Sequence, residues 1–394
     1  MNIVIVGGGF GGIKTALELA KKKTHSITLI SNSSNFQYYP ALFSTATGRS
    51  HKESWVPLKE IFKKVPNVRI VNDTITTYDP ENKQVVGTSN RRYKFDKLVL
   101  SLGSVTTYFG IDGLDTYSFG IKSEAEIRTL QKHLVEELSD GSDDEHNYVI
   151  IGGGPTGVEL AGALGEYLRV LRKHFKATEP NHAKISLIEA APRVLPRMSE
   201  KTSAVTHKRL EKLGVNVEIN KKVERLTANS LIVNGEPLTT QTVIWTSGVA
   251  NAPFFRDNEA LFTLDKRHNA IVDEYMLAAP DVYVIGDNAA TPFAGLAQTA
   301  LHDAIYVAKH INGSKKPYKA VQPPSVVPVG HHWAVFEWKK LRFAGFPGGV
   351  LRRMADLIGY HDVLPIGWAL TAWKAGTKRE LFIPNVQVKS DPAE

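Results

Sequence analysis

Two glycine-rich turns of one kind, each wedged between an apolar strand and a helix, predict an α/β fold. It comprises two Rossmann-like dinucleotide-binding domains, the second inserted in the first, followed by a C-terminal region of a different pattern. The first turn, Gly7-Gly8-Gly9-Phe10-Gly11-Gly12, follows Ile3-Val4-Ile5-Val6; the second, Gly152-Gly153-Gly154-Pro155-Thr156-Gly157, follows Tyr148-Val149-Ile150-Ile151. A third observation places the insertion: an apolar strand ending in Gly286-Asp287 returns only after the second unit has closed. The expected division is 1–121 with 249–325 for the first domain, 122–248 for the inserted one and 326–394 for the C-terminal region.

Taken in order, the first strand (2–6) and turn lead into a helix over about 11–23, with Ile13, Ala16, Leu17 and Ala20 at helical spacing. A strand over 26–30 follows. Residues 68–101 alternate in the manner of antiparallel strands and end in Lys97-Leu98-Val99-Leu100-Ser101-Leu102-Gly103-Ser104. A helix from about 122 runs to a polar stretch, 139–145, that reads as a surface loop. The second unit adds a helix over about 156–173, a strand at 184–189, a helix near 200–213 and a strand at 242–245. Residues 281–287, a helix over about 296–311 and a proline-rich linker from Pro317 to Pro328 lead to the C-terminal region.

Both turns fit G-x-G-x-x-G. The first glycine makes the tight turn, the second lets backbone approach a pyrophosphate, and the third allows helix to pack closely on strand. The helix N-terminus then presents unpaired N–H groups and a positive dipole end to the phosphates. One such match also arises where a turn merely joins strand to helix; two in one chain predict two bound dinucleotides. The expected contacts are Gly7, Gly9, Gly11 and Gly12 at the first site, and Gly152, Gly154, Pro155, Thr156 and Gly157 at the second.

The two sites are not equivalent. A carboxylate at the end of the second strand binds adenosine ribose hydroxyls in such units, and Glu189 supplies it after Ile185-Ser186-Leu187-Ile188. Its charge repels a 2′-phosphate, which favours NADH over NADPH, although nearby Arg193 could accommodate that phosphate. The first unit has Ser31 and Asn32 at the matching place, weaker acceptors than a charged group. A strand ending Gly286-Asp287 brings a carboxylate next to a ribityl hydroxyl in many flavin enzymes, so the first ligand is read as FAD. The helix beginning near Ala297 then aims its N-terminus at the flavin.

Composition narrows the chemistry. The chain of 394 residues has 42% hydrophobic and 22% charged residues, ordinary for a globular protein of two or three domains. A net charge of +8 suits an anionic partner; no nucleic-acid module is recognisable, which leaves a lipid surface as the expected one. Cysteine is absent, which excludes disulfides, thiolate metal sites and any relay of electrons through a cysteine pair; no metal is expected. The first strand starts almost at Met1, leaving no room for a signal peptide. The longest apolar stretch, Val363 to Trp373, falls short of the roughly 20 residues that cross a bilayer. The expectation is a protein on the cytoplasmic face of the cell membrane, peripheral to it.

With these residues placed, the chain resembles the flavin- and pyridine-nucleotide-dependent oxidoreductases of two dinucleotide-binding domains, and within them the type II, non-proton-pumping NADH:quinone oxidoreductases. The resemblance spans nearly the whole chain. It rests on the two fingerprints, on the Leu98–Ser104 run followed by Tyr108-Phe109-Gly110-Ile111, and on Gly157-Val158-Glu159-Leu160-Ala161-Gly162. It continues through Glu189-Ala190-Ala191-Pro192-Arg193, Trp245-Thr246-Ser247-Gly248-Val249, Gly286-Asp287, Ala297-Gln298 and, early on, Tyr39-Pro40-Ala41-Leu42. It implies a respiratory-chain enzyme with FAD as cofactor, NADH as cosubstrate and quinone as acceptor. It also implies that Pro40, Gly103 and Gly248 lie at the cofactors. Glu159 would stand near the junction of nicotinamide, flavin and quinone, positioning groups or supplying a proton. The family's quinone signature, Ala-Gln-x-Ala-x-Gln, reads Ala297-Gln298-Thr299-Ala300-Leu301-His302 here. Gln298 carries over; His302 replaces the second glutamine, and either bonds backbone or serves a quinone oxygen. Ile366 is placed near the quinone entrance by the resemblance alone.

The tail carries a hairpin-like run, 331–343, with basic residues at its tip. Val350, Leu351, Met354, Leu357 and Ile358 then recur at helical spacing with Arg352, Arg353 and Asp356 opposite. A further segment holds Leu364, Ile366, Trp368, Ala369, Leu370 and Trp373, closed by Lys374, Lys378 and Arg379. Apolar faces with aromatics, rimmed by Lys and Arg, have the composition of interfacial helices lying in an anionic membrane surface. A homodimer interface is the competing use of this region. Two other readings of the whole chain stay open: a soluble reductase of a small redox protein, and a low-turnover flavin-binding sensor or scaffold.

Overall fold

When helices cover both faces of a parallel sheet, every residue of a central strand is buried. Ile3, Val4, Ile5 and Val6 meet that condition, none more than 3% exposed, in β1 (Asn2–Val6). The computed structural model describes residues 1–139, 146–175, 183–240 and 242–381. The chain runs through β1, α1 (Phe10–Ala20), β2 (Ser26–Ser31), β3 (Val68–Asn72) and β4 (Lys97–Leu100). Next come β5 (His146–Ile151), α2 (Pro155–Phe175), β6 (Ala183–Ile188), β7 (Val215–Glu218) and β8 (Thr242–Trp245). Then follow β9 (Leu277–Ala279), β10 (Val282–Val284) and α3 (Ala297–Ile311).

Six strands form one sheet in the order β9-β10-β4-β1-β2-β3, all parallel except β9. Four form a second, wholly parallel sheet, β7-β6-β5-β8, from residues lying between β4 and β9 in sequence. Each sheet has its own buried core. The antiparallel reading of 68–101 holds only in its middle, where Ile75–Asp79, Gln84–Gly87 and Arg92–Lys94 form a three-stranded meander. Its two ends, β3 and β4, join the parallel sheet instead. Alternation reports a half-covered face, and the edge strand β3 has one of those without being antiparallel. The surface loop expected at 139–145, beyond Ser139, lies outside the described residues, as does the C-terminal stretch 382–394.

The hairpin expected at 331–343 is a three-stranded antiparallel sheet, β11 (Ser325–Pro328), β12 (Ala334–Trp338) and β13 (Leu341–Gly345). Proline-rich sequence before it hid the first strand. Helices α4 (Phe346–His361) and α5 (Ile366–Ala375) follow. This region ties the two units together. Val327, Val329 and Val335 complete the core of the second unit, while Tyr360, Val363, Leu364, Ala369 and Ala372 belong to the core of the first. The Tyr360 ring stacks on Tyr38 at 3.9 Å. Among the described residues no helix is long and apolar enough to cross a membrane.

Arg352 and Arg353, set opposite the apolar stripe of α4 by helical spacing, do not form a solvated face. Arg352 is turned inward, its side chain 13% exposed. Arg353 stacks on Trp373 at 4.4 Å and donates to the Trp373 carbonyl. Of the apolar stripe, Val350, Met354 and Ile358 are exposed and Leu351 and Leu357 half-buried.

Candidate functional site

The two glycine turns are built almost identically. Gly7 and Gly152 both take a left-handed backbone, φ 116° and 113°, which penalises any side chain. A Cβ at Gly12 would fall on the Gly7 carbonyl oxygen, and one at Gly157 on the Gly152 carbonyl oxygen. These are the close approaches that the first and third glycines permit. The middle glycines differ: a Cβ at Gly9 or Gly154 would meet nothing within 4 Å. Both face an open cleft.

That cleft runs continuously from one turn to the other and encloses about 2010 Å³, against roughly 300–1,000 Å³ for a usual small-ligand pocket. Its size and its two phosphate cradles fit two dinucleotides laid end to end. Gly7, Gly9, Gly11, Ser31, Asn32, Pro40, Gly103, Asp287 and Ala297 line the first half. Gly154, Pro155, Thr156, Glu159 and Glu189 line the second. Gly12, Gly152 and Gly157 stand behind the wall, shaping the turns. Gly248 lies outside the wall too: a Cβ there would fall on the Thr107 carbonyl oxygen, and its own carbonyl accepts a 3.3 Å hydrogen bond from Lys122 Nζ. Lys122, unrecognised in the sequence, reaches the cleft this way; burial lowers its pKa, while Glu126 and Asp287 pull the other way.

Glu189 and Ser31 sit beside the second residue of their turns, close to where a Cβ on Gly153 or Gly8 would be. The Glu189 carboxylate accepts from Gly153 N–H at 2.5 Å and from Ala191 N–H at 2.7 Å, so its position is held by backbone. Arg193 points elsewhere. It donates to the Pro196 and Met198 carbonyls and pairs with Glu200 at 3.2 Å.

The first half is braced by two fully buried polar residues that no sequence pattern marked. Asn288 accepts from Gly103 N–H at 3.0 Å and donates to the Gly103 carbonyl at 2.8 Å, clamping the loop after β4 to the Gly286–Asn288 turn. Asp303 on α3 accepts from Gly286 N–H at 3.0 Å and from Tyr318 Oη at 2.6 Å. Burial raises the Asp303 pKa, opposed by those hydrogen bonds. Together they fix where Asp287 stands.

Glu159 lies on the first turns of α2, where Pro155, which has no N–H, starts the helix at a position whose N–H would find no partner within it. Burial pushes its carboxyl up to about 7, against the opposing pull of Arg352, whose Nη1 lies 3.1 Å from Glu159 Oε1. A carboxyl with that value changes charge near neutral pH and can hold or release a proton there. The cleft wall brings Glu159, Pro40 and Arg352 together. It does not bring Gln298, His302 or Ile366. Gln298 is exposed on the first turn of α3, His302 Nε2 sits 3.0 Å from the Lys319 carbonyl oxygen, and Ile366 is 57% exposed at the start of α5. His302 thus meets a backbone carbonyl in this structure. Among the described residues no group of three or more His, Asp or Glu is placed to hold a metal ion.

Comparison with known proteins agrees with this architecture. Residues 1–304 match the family model of pyridine nucleotide-disulphide oxidoreductases. The type II NADH:quinone oxidoreductase Ndh of Mycobacterium tuberculosis is 28% identical, over 94% of this chain and 88% of its own. A type II NADH:quinone oxidoreductase of Staphylococcus aureus is 27% identical, over 95% and 98%. The structure of NDH2 from Plasmodium falciparum in complex with NADH superposes with a TM-score of 0.83 at 19% identity, covering 95% of this chain and 97% of that one. With paired dinucleotide cradles, one cleft between them and this match over most of its length, the chain belongs to the pyridine nucleotide-disulphide oxidoreductase family, as a member without cysteine.

Proposed function

We propose that the protein is an NADH:quinone oxidoreductase that holds FAD in its first unit and binds NADH in its second. The observation that carries this is the single cleft joining the two cradles, in whose wall Arg352 bridges Glu159 of the second half and the Pro40 carbonyl of the first. Absence of cysteine removes every thiol-dependent reaction of the family. The names of the relatives, at 27–28% identity over nearly full length, support quinone as the acceptor. FAD, when bound, accepts a hydride from NADH and passes two electrons on.

The chain's own residues hold and orient the reactants. The N–H groups around Gly9 and Gly154 receive phosphates. Asp287, fixed by Asn288 and Asp303, meets the flavin's sugar chain, and Glu189 meets the adenosine ribose of NADH and disfavours a 2′-phosphate. The overall balance is NADH + H⁺ + quinone giving NAD⁺ + quinol, so one proton comes from solution. Glu159 is the group placed to deliver it. Gln298, His302 and Ile366 would act in the quinone's approach from outside the cleft rather than in its wall.

The acceptor's solubility in lipid gives the C-terminal region a use. Phe346, Val350, Met354 and Ile358 on α4, Ile366 and Leu370 on α5, and Leu341 and Phe343 on β13 form an exposed apolar face. Exposed Lys339, Lys340, Arg342, Lys374 and Lys378 border it. This composition suits an anionic membrane surface, each basic residue contributing about 1 kcal/mol, and supports our reading of a peripheral enzyme on the cytoplasmic face. The functional division 1–121 with 249–325, 122–248 and 326–394 follows from these roles. Flotation with vesicles containing anionic lipid, together with NADH oxidation on added short-chain quinone, tests the reading. Turnover with quinone and co-flotation are expected. Turnover only with a small redox protein would replace the quinone reading, and a stable dimer that ignores vesicles would replace the lipid one.

A further inference from the structure

Arg352 stands where four segments of the chain meet. Besides Glu159 on α2, its Nη1 donates to the Val326 carbonyl at 3.3 Å, its Nη2 to the Pro40 carbonyl at 2.6 Å, and its Nε to both oxygens of Asp356 at 3.1 Å. On the same helix, Phe346, Val350, Met354 and Ile358 recur every four residues and are 43–66% exposed. Two residues separate Arg352 from Val350 and from Met354, roughly 200° around an α-helix. One helix therefore shows its apolar stripe to the outside and its guanidinium to the cleft.

We propose that Arg352 is a positioning residue through which the seating of α4 on the lipid surface sets the charge of Glu159, so that quinone reduction, but not hydride transfer, responds to membrane docking. This rests on the quinone reading above. A buried guanidinium stays protonated and must keep a carboxylate partner. It has two. Asp356 lies one turn along α4 and travels with Arg352; Glu159 lies on α2 and does not. A shift of α4 therefore leaves the Arg352–Asp356 pair intact and, of the guanidinium's two carboxylate distances, changes only the one to Glu159. The carboxyl of Asp356 is steadied in turn by Tyr38 Oη, which donates to Oδ1 at 3.3 Å.

The charged groups acting on Glu159 are these two on α4, with opposite signs: Arg352 favours its ionised form and Asp356 its neutral form. Among the described residues, the other segments packed near this part of α2 bring no charge that acts on Glu159. Leu42–Ala46 and β11 carry no ionisable side chain, and the helix Glu124–Ser139 meets α2 through Ile127, Leu130, Leu134 and Val135. Control of the Glu159 proton thus falls to α4.

The test uses the full chain loaded with FAD, with and without vesicles of phosphatidylglycerol and phosphatidylcholine. Two rates are followed against pH: bleaching of the flavin by NADH, and reduction of a short-chain quinone. Arg352→Gln removes the cation, so the pH midpoint of quinone reduction should rise by about 1–3 pH units relative to that of flavin bleaching in the same variant. Arg352→Lys should bring the midpoint back. Asp356→Asn removes the opposing charge and should move it down, an opposite sign that loss of packing alone would not give. Vesicles should shift the midpoint of the unaltered protein and leave Arg352→Gln unmoved. Equal midpoints in all variants, or an equal vesicle shift with and without the guanidinium, would overturn the coupling while leaving the oxidoreductase reading intact. Failure of the unaltered protein to reduce quinone at any pH would sink that reading, and the coupling with it.

Discussion

Alanine in place of Gly9 or Gly154, one at a time, separates the two nucleotide sites. A Cβ at either position meets nothing within 4 Å, so the fold itself accepts the methyl group. Gly9 is the residue that caps α1, and replacing a capping glycine with alanine costs about 0.5–1 kcal/mol. The space each methyl enters is the space a pyrophosphate needs. Pushing a phosphate off the helix end forfeits at least one charge-assisted hydrogen bond, about 1.5–3 kcal/mol, or about 10- to 150-fold in affinity. Gly9→Ala should therefore purify with less flavin per chain by absorbance, yet melt within a few degrees of the parent apoprotein. Gly154→Ala should keep its full flavin and need about 10- to 150-fold more NADH for half-maximal bleaching. Gly12→Ala and Gly157→Ala are the contrast: their methyls fall on carbonyl oxygens, and overpacking of that kind costs about 1–3 kcal/mol or more. If Gly154→Ala sheds flavin while Gly9→Ala keeps it, the assignment of the two cradles is reversed. If neither variant alters flavin content or NADH response, the cleft does not hold phosphates at these turns.

Further outcomes follow from single residues. Glu189→Gln keeps the shape and loses the charge, so the preference for NADH over NADPH in kcat/KM should fall at least tenfold; an unchanged ratio would mean that selectivity lies elsewhere. Asn288→Ala leaves both polar groups of Gly103 without their partner and should lower chemical-unfolding stability by about 2–4 kcal/mol, with weaker flavin retention. Glu53 is buried beside hydroxyl groups, and burial raises its carboxyl to about 8. Its neutral form is the one the fold tolerates, so its contribution is complete below about 4.5 and fades as pH rises to about 8. Denaturation between pH 5 and 8 should show Glu53→Gln losing about 3 kcal/mol less than the parent over that range. Met354→Glu with Ile358→Glu should abolish vesicle co-flotation and leave flavin bleaching by NADH unchanged within twofold.

The fold was legible in the chain because its signals are local. Each glycine turn lies within a dozen residues, and Ile3–Val6 and Tyr148–Ile151 are buried on both faces, so their apolar runs needed no knowledge of partners. Pairing direction was less accessible: β3 alternates like an antiparallel strand but pairs with β2 from an edge. The glycine turns could be read for the same local reason, down to the close approaches made at the first and third glycines. Its supports could not. Asn288 and Asp303 act through Gly103 and Gly286, contacts between segments that no spacing rule connects. Arg352 shows the sharpest contrast. Helical periodicity sets it opposite the apolar stripe, which is correct, but a residue opposite a stripe is solvated only when nothing else packs there. Here Glu159 and the Pro40 carbonyl do, 193 and 312 positions away. His302 is a further case: its departure from the family signature is visible in the chain, but its contact with the Lys319 carbonyl, 17 positions on, is not.

Anaerobic titration of the purified protein tests the central claim most directly. Followed at the flavin's visible band, about one equivalent of NADH per chain should bleach it, and a short-chain quinone added without oxygen should restore it and form one equivalent of quinol. A protein without a flavin spectrum, or one whose band ignores NADH or stays bleached in the presence of quinone, would contradict the account.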